Sequence, residues 1–359
     1  MGTRGPLGGR GTRSDPPADW YETIGGDRLA AFYIWQGISH TTRASYQAAV
    51  NSYTSFARER RFAPIFPATA QGLMAWVGSF QGRVEAGTLK HYLSGLRSHH
   101  VDIGFPIDQF SNVTLERCVR GYRRHHGEKP VRQALPLTLP LIEAMVRYYT
   151  RRPPLTPRAA TFIAVFTLAF GCFLRMGEVT FDVFDPRFNP QRCDVNLGTN
   201  PPTFNIKASK TDVFRQSTTV AIPEGSAYAC PRRALHMFFN LVPGRASDPL
   251  FAFDGRFPKK LVVDEVHRVL TEIGVAPPGY TGHSFRRGAA TWAHQIGLPD
   301  SEIQRLGRWA ATGESYRRYI DVPLLSSASV AGQLYNTTSC ESRREARPPP
   351  KRVHWAPDV

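Results

Sequence analysis

The chain has 359 residues and carries 45 Lys+Arg against 29 Asp+Glu, a formal net charge of +16. Apolar residues make up 42%, which excludes global disorder, and the length suits about two domains. The charge says little about fold but predicts a polyanionic partner, either nucleic acid or an anionic membrane surface.

The first nineteen residues, MGTRGPLGGRGTRSDPPAD, hold no apolar h-region, so no secretory signal is expected. Their Gly, Pro and Arg content predicts a disordered arm, drawn here over residues 1–36. Several short helices follow, their breaks set by Pro64, Pro67, Gly104 and Pro106. Residues 39–60 place Tyr46, Val50, Tyr53 and Phe56 on one stripe. Residues 69–80 repeat the pattern with Leu73, Trp76, Val77 and Phe80. Thr88 reads as the N-cap of a helix carrying Leu89, Tyr92, Leu93 and Leu96. A further helix near 112–125 turns Leu115, Val119 and Tyr122 inward. Spacings of three and four mark helices with one apolar face.

The polar faces of these helices are basic. Arg117, Arg120 and Arg124 share a face, with Arg123 beside them, and Lys90 and Arg97 stand seven apart. Two basic faces in one small helical unit (37–126) predict a DNA-binding domain. The neighbouring pairs His99–His100 and His125–His126 diverge by about 100° on a helix, which makes them poor chelators and reads as polar surface.

Residues 127–137 lack periodicity, contain two prolines and read as a linker. Thr138 then caps a helix running to Tyr149. The longest apolar stretch, 162–174, has thirteen residues against about 20 for a membrane span, so it reads as a buried core helix. Thr203–Ile206 and 218–222 alternate around a polar turn and predict a hairpin. Helices are expected near 231–241, 262–273, 283–296, 301–307 and 314–320. The fold class is therefore mainly α with a small β-sheet, the second domain spanning 138–335. Residues 336–359 read as a disordered basic, Pro-rich tail whose SRREARPPPKR run fits a nuclear-localisation element. The cysteines Cys118, Cys172, Cys193, Cys230 and Cys340 form no CxxC pair and have no His at zinc spacing, so neither a metal site nor a disulfide framework is expected. A reducing, intracellular compartment follows.

Four segments of the second domain carry chemistry. In GCFLRMGEVTF an apolar helix ends at Arg175, with Glu178 three residues on. Lys210 lies in the hairpin turn, within KASKTD. In TGHSFRRGAATWAHQIG, His283 and Arg286 fall at i and i+3 near a helix start, and Gly288, Ala289 and Ala290 permit close packing. The last segment, IQRLGRWAATGESYRRYI, holds Trp309, Tyr316 and Tyr319.

In this order the four segments resemble the tyrosine recombinase (phage integrase) superfamily over about residues 39–320. That signature is an Arg with a following acidic residue, a hairpin Lys, His-x-x-Arg, a His or Trp after Leu-Gly, and a nucleophilic Tyr. Arg175, Glu178, Lys210, His283, Arg286, Trp309 and Tyr319 fit it. HSFRRGAAT and LGRW look most like eukaryotic DIRS-type and Crypton-type mobile elements. The resemblance implies a helical core-binding domain and an α+β catalytic domain that close on DNA as a C-shaped clamp.

It also implies a mechanism. A Tyr oxygen attacks a phosphodiester, forms a 3′-phosphotyrosyl bond and releases a 5′-hydroxyl, with no cofactor. Arg175 and Arg286 would grip non-bridging oxygens, aided by His283 and the Trp309 indole N–H. A phenol titrates near ~10, so Tyr319 needs help to lose its proton, with His283 as acceptor. Lys210 would protonate the leaving oxygen and Glu178 would orient Arg175. Tyr319 lies ten residues after Trp309 and Tyr316 seven after; Ile320 behind Tyr319 favours Tyr319. Lys207 competes with Lys210, and the S-K-T turn favours Lys210. Arg287 adjoins Arg286, but His-x-x-Arg spacing selects Arg286.

The implied partners are double-stranded DNA and further copies of the chain, as a homotetramer on two DNA sites, with Leu324, Leu325, Val330, Leu334 and Tyr335 as apolar anchors to a neighbour. Integration or excision of a mobile element is the expected role, in the nucleus of a eukaryote or otherwise the cytoplasm. A type IB topoisomerase-like enzyme shares the same active-site set. A domesticated, inactive DNA-binding protein is the rival from another class.

Overall fold

The computed structural model describes residues 15–128, 133–151, 153–209 and 216–320. Lys210, the apolar anchors of 322–335 and the basic tail of 336–359 lie outside the described residues. The chain divides into two compact units, with one boundary near Gln133 and a short segment that begins at Lys207 and ends at Thr218 grouped with the first unit.

The first unit is helical: α1 Ala18–Ile24, α2 Arg28–Gln36, α3 His40–Glu59, α4 Ala70–Ser79, α5 Ala86–Asp102 and α6 Val113–His126. Polar caps set the starts. Ser39 Oγ accepts from the Thr42 amide, Thr69 Oγ1 from Gly72, and Asn112 Oδ1 from Thr114 and Leu115. The apolar stripes meet in one core around Tyr53, Leu73, Trp76, Leu89, Leu96 and Leu115. Lys90, Arg97, Arg117, Arg120, Arg123 and Arg124 are all exposed on α5 and α6, and Arg123 pairs with Glu128 at 2.5 Å.

Three expectations change here. Residues 18–36 are not a disordered arm but form α1 and α2, because Trp20 is buried and donates its indole N–H to the Ala31 carbonyl at 2.9 Å. Arg43 lies between the Trp20 and Trp35 rings, 5.0 and 4.0 Å away, and ion-pairs with Asp102 at 2.8 Å. Helix α5 starts at Ala86, so Thr88 lies inside its first turn and Glu85 is the N-cap. His100 is not surface: it is fully buried, its Nε2 accepting the Ala68 amide at 2.9 Å and its Nδ1 bonded to the Leu96 carbonyl at 2.8 Å.

The second unit holds α7 Leu139–Thr150, α8 Pro157–Gly171, β1 Val195–Asn196, β2 Thr203–Ile206, β3 Thr218–Ala221, α9 Pro231–Leu241, α10 Lys259–Glu272, α11 Ser284–Gln295 and α12 Asp300–Gly307. A 3₁₀ turn, Ser315–Tyr319, follows α12. Helix α8 is buried on all sides from Ala159 to Ala169, as expected of a central helix, and α7, α9 and α11 pack around it. The sheet has the order β1-β2-β3, with β1 antiparallel to β2 through Val195–Phe204 and Asn196–Thr203. Gly288 lets α11 approach the 134–137 segment: a Cβ there would stand 1.9 Å from the Leu137 carbonyl oxygen. Among the described residues no helix is long and apolar enough to cross a membrane.

Candidate active site

The site is assembled from the C-terminal end of α8, the start of α11, and the stretch from α12 through the 315–319 turn. Helix α8 stops at Cys172, and Phe173 takes a left-handed backbone, φ 50°. For a bulky side chain that conformation costs about 1–2 kcal/mol. It turns the Phe173 carbonyl toward two arginines and carries the chain into Arg175. Arg175 and Glu178 close a short 3₁₀ turn on each other: Glu178 Oε2 accepts the Arg175 amide at 3.0 Å, and Oε1 accepts Arg175 Nη1 at 3.2 Å. The Glu178 side chain is fully buried.

Helix α11 opens at His283, which is exposed, while Arg286 one turn later is fully buried. Arg286 donates Nη1 to the Phe173 carbonyl at 2.7 Å and Nη2 to the Gly307 carbonyl. Its guanidinium lies 4.2 Å from the Trp309 ring centroid and 5.7 Å from that of Tyr319. Burial, and then the charges of Arg175 and Arg308, pull its pKa down to about 9, partly offset by Glu178 and Tyr319. It stays a cation at neutral pH.

Trp309 and Tyr319 are neighbours, ring centroids 5.1 Å apart, and both are half-buried. Gly307 makes room for the indole: a Cβ on Gly307 would fall 1.6 Å from Trp309 Cζ3. The Tyr319 main chain is tied to α11, because Thr291 Oγ1 donates to the Tyr319 carbonyl at 3.1 Å and Arg287 Nη1 to the Arg318 carbonyl at 2.6 Å. Arg287, weighed above as a phosphate contact, thus spends that donor on backbone. Tyr316 is buried, and its hydroxyl donates to Asp300 Oδ2.

The structure therefore brings Arg175, Glu178, Arg286, Trp309 and Tyr319 together and sets His283 at the N-cap of the helix carrying Arg286. Lys207 follows β2, and its side chain is half-buried. One residue of this cluster was missed by sequence reasoning. Arg308 is the C-cap of α12 in the left-handed region, φ 55°, and donates Nη2 to Glu178 Oε2 at 2.8 Å. Its only sequence signal is its place inside LGRW, between a helix-ending glycine and the indole.

No family model and no curated protein matches the chain. Solved structures do. XerH site-specific recombinase bound to a palindromic difH substrate is 16% identical, with a TM-score of 0.53 over 81% of this chain and 78% of that one. A lambda integrase dimer bound to a COC' core site is 16% identical, with a TM-score of 0.52 over 84% of this chain and 94% of that one. A lambda integrase tetramer bound to a Holliday junction gives 16%, 0.50, 87% and 82%. The chain has the tyrosine recombinase fold. The helical majority and the small three-stranded sheet fit that fold.

Proposed function

We propose that the chain is a site-specific DNA recombinase that cuts and rejoins strands through a 3′-phosphotyrosyl intermediate on Tyr319. The observation that carries this reading is the meeting of the Tyr319 ring, the Arg286 guanidinium and the Trp309 indole beside the Arg175–Glu178 pair. A phosphodiester resists attack because it is anionic and gains further charge in the transition state. Donors fixed in advance offset that charge, each by about 2.7–4 kcal/mol.

In this reading Tyr319 Oη attacks phosphorus as the bond to the 5′-oxygen breaks. The phenolic proton passes to His283 at the mouth of the site. Lys210 gives a proton to the departing 5′-oxygen. Arg175 and Arg286 hold the non-bridging oxygens, the indole N–H of Trp309 adds a donor, and Glu178 orients Arg175. The reverse attack, by the same 5′-hydroxyl or one from a second duplex, restores the phosphodiester and frees Tyr319, so atoms and charge balance without a cofactor. Tyr316 takes no part, since its hydroxyl is spent on Asp300.

The exposed Lys90, Arg97, Arg117, Arg120, Arg123 and Arg124 would hold the duplex through its phosphates, with 37–126 as the core-binding domain and 138–335 as the catalytic one. The lambda integrase tetramer on a Holliday junction supports a homotetramer on two DNA sites. Integration and excision of a mobile element of the DIRS or Crypton type is the biological role we infer from HSFRRGAAT and LGRW.

Trapping tests the reading. Nicked duplexes taken from repeats that flank the gene are incubated with the full chain and resolved under denaturing conditions. A covalent protein–DNA adduct is expected from the wild type and from Tyr316→Phe, and none from Tyr319→Phe. An adduct that persists in Tyr319→Phe removes the proposed nucleophile.

A further inference from the structure

Arg308 has more hydrogen-bonding capacity than its visible role consumes. Its side chain is only 15% exposed, and one nitrogen, Nη2, makes both of its contacts: Glu178 Oε2 at 2.8 Å and the Phe173 carbonyl at 3.3 Å. Among the described residues, Nε and Nη1 are buried without a partner, and so is Nε of Arg286. A buried donor left unpaired costs about 1–3 kcal/mol, so three of them in one place call for an acceptor.

The charge balance points the same way. The Phe173 carbonyl accepts from Arg286 and Arg308 together, which brings two guanidinium cations to one oxygen. Arg175 makes a third cation, and Glu178 is the carboxylate that both Arg175 and Arg308 bond. The cluster of three arginines and one glutamate thus carries a net two positive charges in a largely dry setting. Like charges held this close repel unless an anion joins them. The lowered pKa of Arg286, with Arg175 and Arg308 among its causes, is a second sign of that repulsion. If holding Glu178 were the whole task, Nη2 alone would do it, and a lysine would serve as well.

We propose that Arg308 is a third phosphate-binding arginine of this site, anchored on Glu178 through Nη2 and donating its remaining N–H groups to a phosphate oxygen. The inference rests on the recombinase reading for the identity of the anion as a DNA phosphodiester. It deepens that reading by adding a contact that neither the two-arginine signature nor the spacing of motifs assigns. The left-handed backbone at Arg308 is what aims the side chain back across the end of α12, where a right-handed residue would continue the helix outward.

The test uses inorganic phosphate as the probe and the full chain as the protein. Phosphate is titrated while the arginine Nε–H resonances are followed, the Arg308 signal being identified by its absence in Arg308→Lys. The Arg308 signal is expected to shift with phosphate in the wild type. Phosphate affinity is expected to fall about 10–100-fold in Arg308→Gln and to hold in Arg305→Gln, an exposed position on the same helix. An Arg308 signal that stays still while that of Arg286 moves overturns the proposal. So does an unchanged affinity in Arg308→Gln, or a wild type that binds no phosphate. The wild-type titration stands even where a substitution unfolds the chain. Because phosphate binding needs no Tyr319, the two readings fail separately. A chain that binds phosphate through Arg308 yet forms no adduct loses the recombinase reading only. One that forms adducts while Arg308→Gln binds phosphate normally loses this inference only.

Discussion

The core of the first unit and the small cluster beneath the candidate active site are held by different forces. Around Trp76 the helices α3 to α6 bury a continuous apolar set, with Tyr53 edge-on to Trp76 at 5.4 Å and Tyr92 stacked on it at 6.0 Å. Beneath the site the buried apolar set among the described residues is Phe173, three alanines of α11, Ile303 and Tyr316. What fixes α12 and the 315–319 turn is instead a group of side-chain to backbone bonds from α11: Arg286 to Phe173 and Gly307, Arg287 to Arg318, Thr291 to Tyr319. Apolar area is non-directional and tolerates repacking, whereas such bonds set position. The region that holds the Arg286–Trp309–Tyr319 cluster is the one where bonds prevail over area.

That contrast can be broken by substitution. The largest effect belongs to Trp76→Ala, which should cost about 3–5 kcal/mol in denaturant unfolding of the full chain by opening a cavity in the first unit. Adduct formation by the surviving folded fraction should be unchanged. Arg287→Met comes next. It leaves the Arg318 carbonyl without its 2.6 Å donor and should cost about 1–3 kcal/mol, with a loss of adduct rate larger than the loss of stability explains. If Trp76→Ala slowed adduct formation in the folded fraction more than Arg287→Met, the assignment of positioning to the arginine bonds would be wrong.

The smallest effect is a pH slope carried by His100. Its Nε2 accepts an amide hydrogen, so the ring must be neutral with its proton on Nδ1, donated to Leu96. Burial holds its pKa below the ordinary histidine value of 6.5, partly opposed by the Leu96 carbonyl; burial also lowers that of adjacent His99, with Asp102 opposing. The unfolded chain therefore binds more protons than the folded one as pH falls below 6.5. Stability from this site is present above 6.5 and is lost as pH falls through the folded-state pKa. Thermal unfolding should show the first unit weakening below pH 6.5, with a shallower slope in His100→Gln. An unchanged slope would locate the acid sensitivity elsewhere.

The helices were legible wherever apolar residues recurred at spacings of three and four, as on α3, α4 and α6. The sequence motifs also led to Arg175, Glu178, Arg286, Trp309 and Tyr319, which the fold then gathers. What escaped was whatever depends on distant partners. His100 looks like surface because its neighbour His99 is a histidine too, and only the Ala68 amide, 32 residues back, makes it a core residue. Residues 18–36 follow directly on a Gly- and Arg-rich stretch but are aromatic-rich, and their order comes from Trp20, Trp35 and Arg43 meeting Asp102. Arg308 carries no periodic or capping signal of its own. Its role is set by a left-handed turn and by a glutamate 130 residues earlier.

Helix α11 has one further consequence. It bears the Arg286 side chain near its start and holds the main chain of Arg318 and Tyr319 from Arg287 and Thr291, one to two turns along. The Arg286 guanidinium and the backbone that carries Tyr319 are thus mounted on the same rod. A tilt or slide of α11 would carry the two together, and the Arg286 bond to the Phe173 carbonyl ties that helix in turn to the segment leading into Arg175.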